Sequence, residues 1–421
     1  MYYLTNANFI HIQAFFGGQP VLVIALVLVL IYVPRHRVRT AKSVRDRLRE
    51  LDWIGYALHA SSVLLFSVAC ASSGPAWESS SSSAGGAWAL LGAVLVAYAA
   101  QQGLALGVAH HPQRRILPCA LLRDRTAALT AVCTACAAAA TALVVYYTPI
   151  YFVLMRIHTR VDATSRLVPF LCAFVASALL VSGGGLLAYV RAYKLLFMLA
   201  AAALAVGSGL LHALTPETPD AAIRFYEALI GAGVGALWNL ALPVCAVTLT
   251  SSASSSSSSS SSSVSPASAA SPKARAQRLD QAALHALAQA GGMAAGRAAA
   301  AVLFHGAGSR LLREALADAA YSDADVRELL AGIKDSAILA ESNPDTVVLV
   351  FEVVARATAR CFSVLVAASV ACFGAACCLR PDEIDFAAST AGPGTRPGGA
   401  AGAGPDAASP SRRRDRSEPP E

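Results

Sequence analysis

Charge is scarce in this sequence. Only 14% of its 421 residues are Asp, Glu, Lys or Arg, while 56% are hydrophobic; soluble domains carry about 25% charged residues. A water-soluble core cannot absorb that much apolar sequence, so the composition points to a polytopic membrane protein. The net charge is +7, but the basic residues form short clusters between apolar runs, with no aromatics interleaved. That pattern sets topology and argues against nucleic-acid binding. N-glycosylation acceptors of the form Asn-x-Ser/Thr are absent, Asn343 being followed by Pro344. Also missing are a Ser/His/Asp order, a His-Glu-x-x-His run and a phosphate-cradling loop on a polar segment. No enzyme chemistry, cofactor or metal is expected. Cys133-x-x-Cys136 has metal or redox spacing, but it lies mid-run without a second pair, so packing is expected of it and of most of the ten cysteines.

Nine apolar runs are long enough to cross about 30 Å of hydrocarbon at 1.5 Å per residue. They cover residues 14–33, 53–71, 87–109, 127–155, 167–190, 195–214, 225–249, 283–305 and 359–379. Seven basic residues, Arg35 to Arg49, follow the first run and none precedes it. This run reads as an anchor with its N-terminus outside. The loops then assigned to the inside hold sixteen Lys and Arg, against four in the short outside loops. The expected division is a first span at 1–33, a basic cytoplasmic loop at 34–52, two further spans within 53–109 and a six-helix bundle over 127–379. A serine-rich tract at 251–272 reads as a flexible cytoplasmic insertion, and 306–358 as an extracellular loop of short amphipathic helices. The Gly-, Pro- and Arg-rich 387–421 reads as a disordered cytoplasmic tail.

Several residues break the apolar monotony. Tyr146-Tyr147-Thr148-Pro149-Ile150-Tyr151-Phe152 sets three tyrosines and a helix-breaking proline at the end of the fourth run. These tyrosines suit either an interfacial aromatic belt or a cavity wall. In the seventh run Gly231, Gly235, Asn239 and Pro243 recur every four residues, placing them on one helix face. The two glycines admit a close neighbour, and Asn239 with Trp238 either packs there or faces a substrate. The eighth run repeats the pattern with Gln289, Gly292 and Gly296. Arg297 sits deep in that run, where a cation must snorkel, pair or face water. Glu227 falls in the expected first turn of run seven, either as a solvated helix start or as a proton carrier.

With these residues in place, the chain resembles the major facilitator superfamily, and within it the fungal fourteen-span drug/proton antiporters. Leu51-Asp52-Trp53-Ile54-Gly55 resembles the opening of that family's seventh span, and Gly74-Pro75-Ala76-Trp77 the short turn after it. The tyrosine-proline stretch at 146–152 resembles the end of its ninth. Gly231 to Pro243 resembles the glycine run of its twelfth, and Gln289-Ala290-Gly291-Gly292 that of its thirteenth. The match maps onto the last nine of the fourteen spans. The resemblance implies an all-α, polytopic, partial major-facilitator fold with an intact C-terminal six-helix bundle. It also implies proton-coupled efflux of a small amphipathic toxin or drug from the plasma membrane rather than the vacuolar one. The implied partners are the lipid bilayer, a small-molecule substrate and protons, with no nucleic acid; what would supply the missing first five spans stays unidentified. Tyr146, Tyr147, Tyr151, Trp238, Asn239 and Gln289 would line the cavity, with Pro149 and Pro243 bending the helices. A truncated, transport-inactive fragment or a membrane scaffold is the alternative expectation.

Overall fold

The computed structural model describes residues 52–72, 81–103, 119–155, 165–182, 186–190, 192–215, 218–245, 247, 272–317, 321–330 and 344–381. The chain divides into two compact units, Met1–Leu51 and Asp52–Glu421, and every described residue belongs to the second. The expected first span, basic loop, most of the serine tract and the tail lie outside the described residues.

The described residues hold nine longer helices, in order α1 Trp53–Ser72, α2 Ser81–Gly103, α3 Arg125–Met155, α4 Val168–Ser182, α5 Tyr193–His212, α6 Asp220–Trp238, α7 Pro272–Ala315, α8 Asp323–Leu330 and α9 Pro344–Cys377. No strand occurs among the described residues. Among the described residues, six stretches are long and apolar enough to cross a membrane: those of α1, α3, α5, α6 (continued to Cys245), α7 and α9; the apolar part of α4, Val168–Val181, is shorter. The protein is an all-α, polytopic integral membrane protein.

Helices α3, α4, α5, α6, α7 and α9 form one bundle around a shared apolar core. Helix α3 packs on α6, α7 and α9; α6 on α4 and α5; and α9 on α5 and α7. In lipid, apolar contact excludes no water, so close packing and interhelical hydrogen bonds hold helices together. Two glycine seams provide the packing. A methyl group on Gly231 or Gly235 would strike the carbonyls of Phe170 or Phe174 in α4. One on Gly292 would strike the Ala135 backbone, and one on Gly296 the Cβ and Cα of Ala139, both in α3. Residue numbers rise together across both seams, so α4 runs parallel to α6 and α3 to α7, as alternating crossings require. Ser208 of α5 and Ser369 of α9, both fully buried, join these helices through their hydroxyls at 2.6 Å.

Helices α1 and α2 pair beside the bundle, and α1 packs on α7. Buried Asp52 closes the pair at one end. It caps α1 by accepting the Gly55 N–H at 2.9 Å and takes the Gln101 and Gln102 amides of α2 at 2.8 and 2.9 Å. A carboxylate can sit inside because three donors replace its water.

Four expectations need correction. Run 167–190 is not one helix: α4 ends at Ser182, a separate helical turn covers Leu186–Tyr189, and the sequence between is Gly183-Gly184-Gly185, the residue that costs a helix most after proline. Run 225–249 breaks at Asn239 and Leu240, so Asn239 and Pro243 do not continue the glycine face of α6. Run 283–305 is the middle of a 44-residue helix; Leu311–Ala315 prolongs α7, with Leu316 in the turn after it, rather than forming a separate loop helix. Helix α6 starts at Asp220, which puts Glu227 two turns in; it is fully buried instead of being a solvated helix start. The end of α7, with α8 and the beginning of α9, makes a second small core of Leu312, Leu316, Val326, Leu330, Val350 and Val353.

Candidate functional site

The site begins with a missing hydrogen. Pro243 has no N–H, so the Asn239 carbonyl lacks the donor four residues on. It takes the Leu242 N–H instead, at 3.2 Å. That same N–H would have served the Trp238 carbonyl, so helix α6 stops at Trp238 with a carbonyl left over. The chain turns through Asn239 (φ −121°, ψ 2°) and becomes helical again over 241–245. Gln289 of α7 fills the gap, donating from Nε2 to the Trp238 carbonyl at 3.2 Å.

Gln289 belongs to a row. Its Nε2 also meets His285 Nε2 at 3.1 Å, and His285 Nδ1 lies 3.5 Å from Thr134 Oγ1 on α3. Thr134 donates to the Thr130 carbonyl at 2.9 Å, and Thr130 Oγ1 meets Cys245 Sγ, beyond the break, at 3.3 Å. Thr130, Thr134 and His285 are buried. The row joins α3, α7 and the broken end of α6 through polar groups inside an apolar bundle. Sequence reasoning named Trp238, Asn239 and Gln289 but missed His285 and the threonines. The signal was present: Thr126, Thr130 and Thr134 recur every four residues on α3, as do Gln281, His285 and Gln289 on α7, giving two polar stripes on facing helices.

The predicted tyrosines do not join this row. Tyr146 lies about 18 Å along α3 from Thr134, at 1.5 Å per residue. It is 47% exposed, and the Arg297 guanidinium stacks on its ring at 5.0 Å. Arg297, expected to snorkel, pair or face water, is exposed and held by this cation–π contact. Tyr147 and Tyr151 are buried, Tyr147 against Phe304 of α7 at 6.4 Å and Tyr151 against Phe362 of α9 at 6.3 Å. Pro149 lies inside α3 without ending it. Trp238 packs edge-on to Phe174 at 5.3 Å.

A second polar group ties helix ends together. Arg166, just before α4, pairs with Asp220 in the first turn of α6 at 2.5 Å and stacks over Phe152 of α3 at 5.7 Å. With Ser165, Val168, Pro169 and Arg224 it lines an open cavity of about 360 Å³. One turn inward from Arg224 is Glu227, neither of whose carboxyl oxygens has a hydrogen-bond partner among the described residues. The Cys133 thiol of α3 lies 3.7 Å from the Cys372 carbonyl of α9, and the Cys372 thiol 3.9 Å from the Cys133 carbonyl. No group of three or more metal-ligating side chains occurs among the described residues.

This architecture, a helical membrane bundle with a polar row at a broken helix, defines the class of protein to which comparisons apply. No protein-family profile matches the chain. It is similar to MFS-type transporters and efflux pumps of fungi. Over 193 residues it is 30% identical to efflux pump patC of Aspergillus clavatus, covering 46% of this chain and 34% of that protein. It is 27% identical over 196 residues to MFS-type transporter patC of Penicillium expansum, covering 46% and 35%. Over 223 residues it is 26% identical to MFS-type transporter TOXA of Cochliobolus carbonum, covering 51% and 38%. The matched region spans little more than a third of the length of each of these relatives. The resemblance read from the five sequence motifs agrees with these relatives.

Proposed function

We propose that the chain is a membrane transporter of the major facilitator type that exports a small amphipathic toxin or drug in exchange for protons. One observation carries this reading: the row of Thr134, His285, Gln289 and the freed Trp238 carbonyl inside a lipid-soluble bundle. Unwound backbone at membrane depth is tolerated where it faces protein or lines a cavity, and transporters use such breaks to bind substrates and ions. The efflux names of the relatives support the direction of transport, and we place the protein in the plasma membrane.

The test is export from cells. The 421-residue chain and its Gln289→Leu variant, both fluorescently tagged, are expressed in yeast lacking its own drug pumps and challenged with a panel of amphipathic toxins. The expected result is a plasma-membrane signal for both forms, with resistance to at least one compound for the parent alone, abolished by a protonophore. Equal sensitivity of cells with and without the parent chain, across the whole panel, would overturn the transporter reading in favour of a transport-inactive or scaffolding bundle.

A further inference from the structure

The hydrogen bonds around His285 fix its state. Thr134 spends its hydroxyl hydrogen on the Thr130 carbonyl, so toward His285 Nδ1 it can only accept. Gln289 Nε2 donates to the Trp238 carbonyl and to His285 Nε2. The ring therefore carries its hydrogen on Nδ1 and a lone pair on Nε2. Both hydrogens of the Gln289 amide are used, while its Oε1 makes no hydrogen bond among the described residues.

We propose that His285 is a proton-binding site and that the Gln289 amide turns over when the site fills. A proton from solvent adds to the Nε2 lone pair; one N–H bond forms, none breaks, and the ring becomes a cation. Two donors then face each other across 3.1 Å, an arrangement that cannot persist. Rotation of the Gln289 amide presents Oε1 to the new N–H and withdraws the Nε2 donor from the Trp238 carbonyl; that carbonyl, against which the ring also lies, then shares the new ring N–H. The empty site thus offers the bundle interior an amide oxygen. The filled site offers amide hydrogens and a positive ring.

The ligand class follows. A hydroxyl, amide or ammonium group bound at Gln289 Oε1 and a proton bound at His285 Nε2 compete for one amide. Such exclusion is reciprocal by linkage: the ligand expels the proton as much as the proton expels the ligand. The surroundings leave the ring as the titrating group. Thr134 faces it from α3, the Trp238 carbonyl from α6, and Gln289 from α7 itself. Cys245, beyond the α6 break, bonds Thr130 rather than the ring. The acids nearest in sequence on these helices, Asp280 on α7 and Asp124 at the head of α3, make no bond to the ring among the described residues. Helices α1 and α9, which also pack on α7, bring it no charged partner among the described residues. Use of the switch to couple export to protons rests on the transporter reading; the switch itself does not.

The test is a pH titration of the full chain in lipid nanodiscs by nitrogen-15 NMR, with histidine rings and glutamine side chains labelled. His285→Asn and Gln289→Met assign the signals. The expected result is an Nδ1–H tautomer for His285 at high pH, which gains a second N–H as pH falls. The Gln289 amide signal should shift with the same midpoint, and lose that response in His285→Asn. An Nε2–H tautomer at high pH, a ring that never gains its second proton, or an amide indifferent to ring charge would each overturn the proposal. If His285→Asn does not fold, co-titration of the two signals in the parent chain decides the matter. Transport is not measured, so a negative titration leaves the transporter reading standing, and a chain that fails to transport leaves the switch standing.

Discussion

The Gln289 side chain stands in for a backbone N–H, donating at 3.2 Å to a Trp238 carbonyl that its own helix has abandoned. The cause is four residues past Asn239, at Pro243. Replacing Pro243 by Ala returns an N–H to Asn239, lets Leu242 return to Trp238 and evicts Gln289. A proline inside a helix costs about 3 kcal/mol or more, so Pro243→Ala should raise the thermal midpoint in detergent while abolishing export. A lower midpoint with export intact would mean the break is not what positions Gln289.

Adjacent glycines in α7 should answer oppositely. A methyl on Gly292 meets the Ala135 backbone, whereas one on Gly291 meets nothing within 4 Å. Gly292→Ala should destabilise by about 1–3 kcal/mol through overpacking. Gly291→Ala should stabilise by up to about 1 kcal/mol, because alanine orders less chain freedom into the helix. Thermal midpoints of the two variants, measured side by side, check the α3–α7 seam.

Asp52 holds the α1–α2 pair. Asp52→Ala strips the carboxylate partner from the Gly55 N–H and the Gln101 amide, while the Gln102 amide keeps its bond to Gln101 Oε1. Each buried donor left unpaired costs about 1–3 kcal/mol. The variant should expose α1 and α2 to protease at lower temperature than the bundle, a difference that limited proteolysis with mass spectrometry can detect.

Glu227 invites the reverse experiment. Its carboxyl is fully buried and has no hydrogen-bond partner among the described residues. Burying an unsatisfied polar group costs about 1–3 kcal/mol by mutational measures. Glu227→Met should therefore raise the thermal midpoint; a fall would show that the carboxyl holds something in place.

Outside the membrane segments, Ser322 and Asp325 cap α8. The Ser322 N–H and O–H each donate to Asp325 Oδ2 at 2.7 Å, and the Asp325 N–H reaches Ser322 Oγ at 3.3 Å. This is the reciprocal cap known from helix N-termini. The Ser322 bonds hold the Asp325 carboxyl below its usual value of 3.8. A depressed acid stabilises the folded form fully above its unfolded pKa and loses that contribution as pH falls through the lower folded value. Amide exchange in α8 should therefore be unchanged from neutral pH down to the ordinary carboxylate range, after correction for intrinsic rates. Protection should drop only below that range, and Asp325→Asn should remove the pH response.

Sequence alone determined that lipid is the solvent and that the chain is helical, because hydropathy and run length are local properties that survive any arrangement of neighbours. It also placed Gly231, Gly235, Gly292 and Gly296 on tight seams, since spacing by four fixes a helix face. Tertiary structure decided which side of the helix break Asn239 occupies, for a proline's effect depends on which donors its neighbours can reassign. It separated Tyr146, Tyr147 and Tyr151 from Gln289, because residues on different helices acquire distances only when the helices dock. His285 became visible for the same reason: a histidine among alanines is unremarkable in a row of letters. Thr134 and the freed Trp238 carbonyl, 151 and 47 positions away in sequence, give it meaning only when α3, α6 and α7 are assembled.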